Sequence, residues 1–258
     1  MDRLAEIADE VLVGTSELYV TTTTVVAGPD GGCLVVDPAI TPADLRDLAA
    51  GLAAHGLRPA AGWSTHPHWD HVLWSRDLGD VRRFAAPRAA AAAAADQTTL
   101  AADAEQSAPG HDLGLVGRLT ALAPGAGGIS WDGPDARVVV HDAHAPGHGA
   151  VFLPATGTLI AGDMCSDIEI PLLDLAAPDP VGGYRAGLEL LAALTGVRQV
   201  IPGHGHVGDA AEFRRRIAAD RRYLDDLERG VSSADPRLAR DWLRAEHDSQ
   251  LRQIAGQA

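Results

Sequence analysis

Residues 66–71 read His-Pro-His-Trp-Asp-His, so three imidazoles and a carboxylate fall within six consecutive positions, directly after the apolar run 60–64. A packed core has no use for such a density of ligand-type groups. Each would need its own partner, and a buried polar group left without one costs on the order of 1–3 kcal/mol. A divalent metal satisfies them together, because neutral imidazole and carboxylate are the donors that zinc-like ions take. His66 and His68 alternate, and on an extended segment both side chains point to one face. Asp70 and His71 then need a turn to reach the same spot from the other side. The bland alternative, a polar surface loop, leaves the clustering unexplained.

The segments around this motif set its place in a fold. Residues 11–36 are rich in strand formers: a valine-leucine run at 11–13, a threonine and valine run at 21–26, a Gly-Pro-Asp-Gly-Gly turn and a buried run at 33–36. Asp37 ends that last strand, either as a turn cap or as a carboxylate standing behind the histidine motif. Thr41 caps a helix that has Pro42 at its first position and Asp44 in its first turn, with Leu45, Leu48, Ala49 and Leu52 as its apolar stripe and Gly56 as its stop. Strand 60–64 follows. Strand, helix and strand form a βαβ unit whose second strand delivers the motif, and ligand sites in α/β sheets lie beyond strand C-termini.

Downstream, a short helical piece is expected at 72–78, a strand at 81–85, a helix over the alanine tract 87–106 and another near 113–122. The stretch 107–134 has no clean period and is where substrate selection is expected. Strand 137–141, a hairpin of 150–154 with 158–161, a helix from Asp179-Pro180 to Gly196, and strand 197–201 come next. Asp209 caps a helix to Arg229, and a last helix runs from Asp235-Pro236 to about 253. No linker interrupts the chain, so 1–258 is read as one domain, with 73–135 as a helical insert or lid and 209–258 as C-terminal helices.

Three further ligand-type residues sit at strand ends in small-residue loops: His148, Asp163 and His204. Taken singly, a histidine after Pro-Gly is more often a turn residue. Recurrence of the same pattern after the dense motif points to one site. His-x-His-x-Asp-His, Pro-Gly-His, Ala-Gly-Asp and Pro-Gly-His-Gly, in that order from about 11 to 209, resemble the metallo-β-lactamase superfamily.

The resemblance implies an α/β (α+β) fold, a four-layer αββα sandwich with a two-metal site at the edges of its sheets. It places His66, His68 and His148 on the first metal and Asp70, His71 and His204 on the second, with Asp163 bridging. Zn2+, two per chain, is the implied cofactor, with Fe or Mn as alternatives, and Asp70 and Asp163 are the catalytic carboxylates. His144, which precedes the same loop as His148, is the other candidate for that ligand; His144 and His206 are otherwise expected behind the ligands, together with Asp37. Trp69 and Trp74 are candidate walls of an apolar substrate pocket, though core packing suits Trp74 equally. Met164, Asp167, Ile168, Glu169 and Tyr184 follow Asp163 and are further candidates for the cleft. Where many relatives continue the motif with small residues, this chain has Val72-Leu73-Trp74.

Composition narrows the function. A formal net charge of −14 disfavours nucleic acid and anionic membrane surfaces, since phosphate contacts need clustered basic side chains. The two cysteines, Cys33 and Cys165, are too few for a disulfide framework. With a charged first segment and no run of transmembrane length, the sequence reads as cytoplasmic. The expected partner is a small-molecule substrate; assembly into a homo-oligomer is left open. The leading reading is a dinuclear zinc hydrolase acting on a small ester, thioester or lactone. A mononuclear iron persulfide dioxygenase is the alternative from another class; a β-lactamase and a non-catalytic binding module stand behind both.

Overall fold

The computed structural model describes residues 1–38 and 40–255. Strands β1 (Ala5–Ala8), β2 (Val11–Thr15), β3 (Thr22–Ala27) and β4 (Gly32–Val36) form an antiparallel meander. Helix α1 (Pro42–Ala54) then crosses over to β5 (Arg58–Trp63), which pairs parallel to β4. Beyond it lie β6 (Arg83–Ala85), helices α2 (Pro87–Ala95) and α3 (Gln97–Ser107), and the short edge strand β7 (Thr120–Ala121). The second sheet comprises β8 (Arg137–His141), β9 (His148–Leu153), β10 (Thr158–Gly162), β11 (Gln199–Pro202) and β12 (Gly208–Asp209), with helix α4 (Pro180–Ala192) between β10 and β11. Helices α5 (Ala210–Glu228) and α6 (Asp241–Ala255) close the described chain.

The four layers follow from residue alternation along strands buried on both faces. Val11, Val13, Val26, Leu34 and Val36 of the first sheet meet Val151, Leu153, Ile160 and Ile201 of the second in one sheet-on-sheet core. Their neighbours in sequence point outward: Leu12, Val25, Cys33 and Val35 pack on Leu45, Leu48 and Leu52 of α1. On the opposite side Phe152, Leu159, Ala161 and Val200 pack under α4, α5 and α6. Side chains alternate with period two, so a continuous apolar strand feeds two cores at once. Each fully buried aliphatic side chain contributes about 1.5–3 kcal/mol. The arrangement is the αββα sandwich that the sequence motifs imply.

Helix α1 starts as read: Thr41 accepts from the Asp44 backbone N–H, and the Asp44 carboxylate accepts from the Thr41 N–H, a reciprocal capping box. Several expected helices differ: 72–78 holds only a 3-10 turn, Arg76–Leu78, and the last helix is a 3-10 turn, Pro236–Ala239, followed by α6. The 87–106 helix is two helices that break at Asp96, whose backbone leaves helical geometry. The expected helix at 113–122 is a single 3-10 turn, Leu113–Leu115, followed by β7. Gly117 explains it, adopting a left-handed backbone (φ +67°) in the middle of the segment.

Candidate metal centre

Every group of the centre follows the C-terminal end of a strand. β5 runs into 64–71, where the 3-10 turn Trp69–His71 carries Asp70 and His71 round to the far side from His66 and His68. From the second sheet come His144 after β8, Asp163 after β10 and His204 after β11. The two sheets are tied together here: the Thr22 N–H donates to the Gly203 carbonyl at 2.8 Å, and the Gly205 N–H to Val20 at 3.0 Å. Gly203 is required by packing, because a Cβ there would stand 2.0 Å from Oδ1 of Asp163.

The side chains converge in two groups, His66, His68, His144 and Asp163 in one and Asp70, His71 and His204 in the other, each with its ligand atoms within 4.8 Å of one another. In the first, Nδ1 of His68 lies 3.1 Å from Nε2 of His66 and 3.0 Å from Nε2 of His144. In the second, Nε2 of His204 lies 3.3 Å from Nε2 of His71 and 3.2 Å from Oδ2 of Asp70. Asp163 stands between them: Oδ2 is 3.5 Å from Nε2 of both His66 and His144 and 3.4 Å from His204, while Oδ1 is 3.2 Å from His71.

The outer nitrogens of four of these rings are held from behind. Nδ1 of His144 donates to the Leu172 carbonyl (2.7 Å). Nδ1 of His71 donates to Oδ2 of Asp37 (3.0 Å). The Thr65 hydroxyl donates to the same Asp37 oxygen (2.6 Å) and therefore accepts from Nδ1 of His66 (3.0 Å). Nδ1 of His204 is 3.2 Å from the Tyr19 carbonyl and 3.3 Å from the Thr21 hydroxyl. Once Nδ1 carries the proton, Nε2 of the neutral ring presents a lone pair. Lone pairs of His66 and His144 facing one another cannot satisfy each other; a cation among them does. Supported histidines of this kind are the hallmark of metal ligation, so the donor set fits one or two divalent ions.

Two of the supports sit on strained backbone. Tyr19 (φ 55°, ψ 11°) and Asp37 (φ 47°) are both left-handed non-glycine residues. Such conformations cost on the order of 1–3 kcal/mol and persist where the surroundings over-determine them. Here they aim a carbonyl and a carboxylate at ligand histidines.

Electrostatics divides the centre. Burial, reinforced by neighbouring imidazoles, holds His66 well below the usual histidine range and brings His144 down to about 4. Burial would lower His71 and His204 too, but Asp163 and Asp70, with Asp37 for His71, reverse it and raise both well above that range. Asp163 is held well below the usual carboxylate range by His71, His204 and His66, against its own burial.

His148 lies outside both groups. The structure brings His144, not His148, into the first group. Gly147 turns the chain (φ +68°), and β9 begins at His148 itself, in register with His141. Its ring is stacked between those of His66 (centroids 5.1 Å apart) and His141 (4.6 Å), one layer behind the centre. Two histidines flanking a Pro-Gly turn are the sequence trace of this arrangement, but only the strand start tells them apart.

A cleft of about 650 Å³ opens onto the centre. Trp69 lines it as expected, and so does Glu169. The other candidates do not. Trp74 is buried in the α1 core, its indole N–H donating to the Gly79 carbonyl; Met164 is buried under α4 and α5, and Tyr184, on α4 itself, is buried in the same core. Ile168 is half-buried away from the cleft, and Asp167 pairs with the exposed His206 (2.8 Å), so His206 supports no ligand. None of residues 73–135 lines the cleft among the described residues. Instead α3 packs against the turn that carries Asp70, with Leu100 and Ala104 on Val72 and Leu73. The walls that sequence reading missed are Tyr19, Leu172–Leu175 and, from α6, Trp242 and Glu246. The Gln250 side chain fastens that wall, accepting from the Leu173 N–H (2.9 Å) and donating to the Pro171 carbonyl (3.1 Å).

Solved structures share the fold. Among curated proteins no match was found. A β-lactamase domain protein from Burkholderia ambifaria superposes with a TM-score of 0.70 at 21% identity, over 98% of this chain and 87% of its own. A stereoselective inverting sec-alkylsulfatase from a Pseudomonas species reaches 0.69 at 18%, over 98% of this chain and 50% of its own. A protein solved in a di-iron-bound form reaches 0.59 at 25%, over 79% and 97%. The family model of the metallo-beta-lactamase superfamily matches residues 17–204, which run from the Tyr19 support to His204, the last ligand-type residue of the centre; the chain belongs to that superfamily.

Proposed function

We propose that the protein is a metal-dependent hydrolase with a dinuclear centre, zinc by preference, acting on a small ester, thioester or lactone. The observation that carries this is Asp163, which touches both ligand groups at the floor of an open cleft. Two ions, when bound, supply a hydroxide nucleophile near neutral pH and polarise the scissile carbonyl. His66, His68 and His144 would hold one, Asp70, His71 and His204 the other, and Asp163 both. The chain itself fixes the distance between the two groups, through Asp163 in front and Asp37 behind. Trp69, Leu172 and Leu173 give the apolar part of a substrate a dry surface and keep it over the centre. Asp70 faces the cleft and is positioned to orient the attacking oxygen. Both cysteines are free and buried, which supports a reducing compartment such as the cytoplasm. Among the described residues, no helix is long and apolar enough to cross a membrane.

The second reading, a one-iron persulfide dioxygenase, draws on the first group, where histidines and a single carboxylate resemble the ligand sets of non-haem iron oxygenases. Elemental analysis of purified protein, with turnover on a panel of thioesters, lactones and aryl esters, separates the two. Two zincs per chain, and turnover that falls at least about a hundredfold in Asp163→Ala, are expected, since a bridging ligand should matter more than the 10–100-fold typical of ligand supports. Parental ester turnover in that variant, or one iron with oxygen uptake on a persulfide, overturns the proposal.

A further inference from the structure

Three carboxylates line the cleft without belonging to either ligand group: Glu169, Asp174 and Glu246. No arginine lines it among the described residues, and the chain contains no lysine. Glu169 is the informative one. It is only 8% exposed. Its backbone is fully engaged, the N–H donating to the Ser166 hydroxyl and the carbonyl accepting from Arg237, yet its carboxylate makes no hydrogen bond or ion pair among the described residues. A nearly buried carboxylate is costly without a partner. Here the open side of the group is the cleft, so the missing partner is what enters it.

The rest of the lining has the matching chemistry. Trp242 and Glu246 are four residues apart on α6 and so share one face of the helix. They present an indole and a carboxylate together at the cleft. Tyr19 and Trp69 add aromatic surface on the side of the centre. Aromatic faces and carboxylates without arginine or lysine are a receptor for an organic cation, which draws on both charge and the ring quadrupole. The overall charge of −14 works in the same direction, raising the local concentration of cations and lowering that of anions.

We propose that the cleft selects substrates carrying an organic cation, an ammonium group held by Glu169 and by the Trp242–Glu246 face of α6 while the acyl group lies over the centre. This rests on the hydrolase reading above and adds the substrate class to it. Substrates with anionic tails meet three carboxylates and are disfavoured.

The test uses the zinc-loaded full chain and two isosteric acetate esters, of choline and of 3,3-dimethylbutanol, which differ only in the cationic nitrogen. The choline ester is expected to be preferred in kcat/KM by about tenfold, the scale of one cation–aromatic contact with a charge partner. Glu169→Gln and, at an exposed position, Glu246→Gln should each cut that ratio. Independently of turnover, benzyltrimethylammonium should quench tryptophan fluorescence saturably, more weakly in Glu169→Gln and at high salt. Equal or reversed preference between the esters, or cation binding unchanged in both variants, overturns the proposal. If no ester of any kind is hydrolysed but the cation still binds through Glu169, the hydrolase reading falls and the cation site stands. If both esters are hydrolysed equally and no cation binding is seen, the reverse holds.

Discussion

Among the described residues Asp163 is the one carboxylate grouped with His66, His68 and His144, whereas His71 and His204 are hemmed in by Asp70 and Asp163, with Asp37 behind His71. The same imidazole therefore serves in opposite states on two sides of one carboxylate. Buried among its own kind, a histidine sheds its proton and offers a lone pair; buried among carboxylates, it keeps the proton until something of higher charge displaces it. One half of the centre is ready for a metal as it stands, and the other exchanges protons for one. The difference comes from how many carboxylates each loop supplies, not from the ligand type.

The strongest way to break this comparison is to remove a ligand from the ready half alone. His144→Ala should drop the zinc content from two per chain to about one and activity by more than about a hundredfold, beyond the range for ligand supports. His148→Ala should leave the zinc content at two, because that ring only packs behind His66. Metal analysis of the pair decides between the two histidines; loss of zinc in His148→Ala with retention in His144→Ala would reverse the assignment.

Asp37→Asn comes next. Asp37 supports His71 directly and His66 through Thr65, so metal affinity in both halves should fall, by about 10–100-fold, with the larger loss in the half that contains His71. Competition with a chromogenic chelator measures both steps.

A last way to sharpen the comparison is pH. His71 and His204 are held protonated above the ordinary histidine value, so their metal must displace protons throughout the neutral range. Affinity in that half should weaken as pH falls, by about tenfold per unit for each proton displaced. His66 and His144 are held below the ordinary value, and their half should be insensitive over the same interval. Zinc titrations at about pH 8, 7 and 6 should show one step moving and one standing still.

Much of this was readable in the residues, for reasons that can be named. The apolar runs at 11–13 and 33–36 alternate between two cores, and a strand buried on both faces announces itself as an unbroken hydrophobic run. Thr41-Pro42 with Asp44 fixes the start of α1 by local chemistry alone. Residues 66–71 carry four ligand-type groups because one loop supplies both halves of the centre. What stayed hidden depended on distance in sequence. His144 and His148 differ only in which side of a turn the strand begins. Tyr19, Leu172 and Trp242 reach the site through packing between segments over 200 residues apart in the chain, counting from Tyr19 to Trp242. Trp74 shows the converse: its neighbourhood to the motif suggested a pocket wall, but α1 claims it for the core.

The hydrogen bonds between Thr22 and Gly203 and between Gly205 and Val20 have a mechanical consequence. His66, His68, Asp70 and His71 hang from one sheet; His144, Asp163 and His204 hang from the other. The centre is thus a rivet through two leaves that meet elsewhere across an apolar core. Loading it should stiffen the seam, so that amide exchange slows along β3 and β11, the strands that adjoin the loops around the centre. Chelation would then loosen the molecule from the rim inward, and the sheets would part where the ligands are.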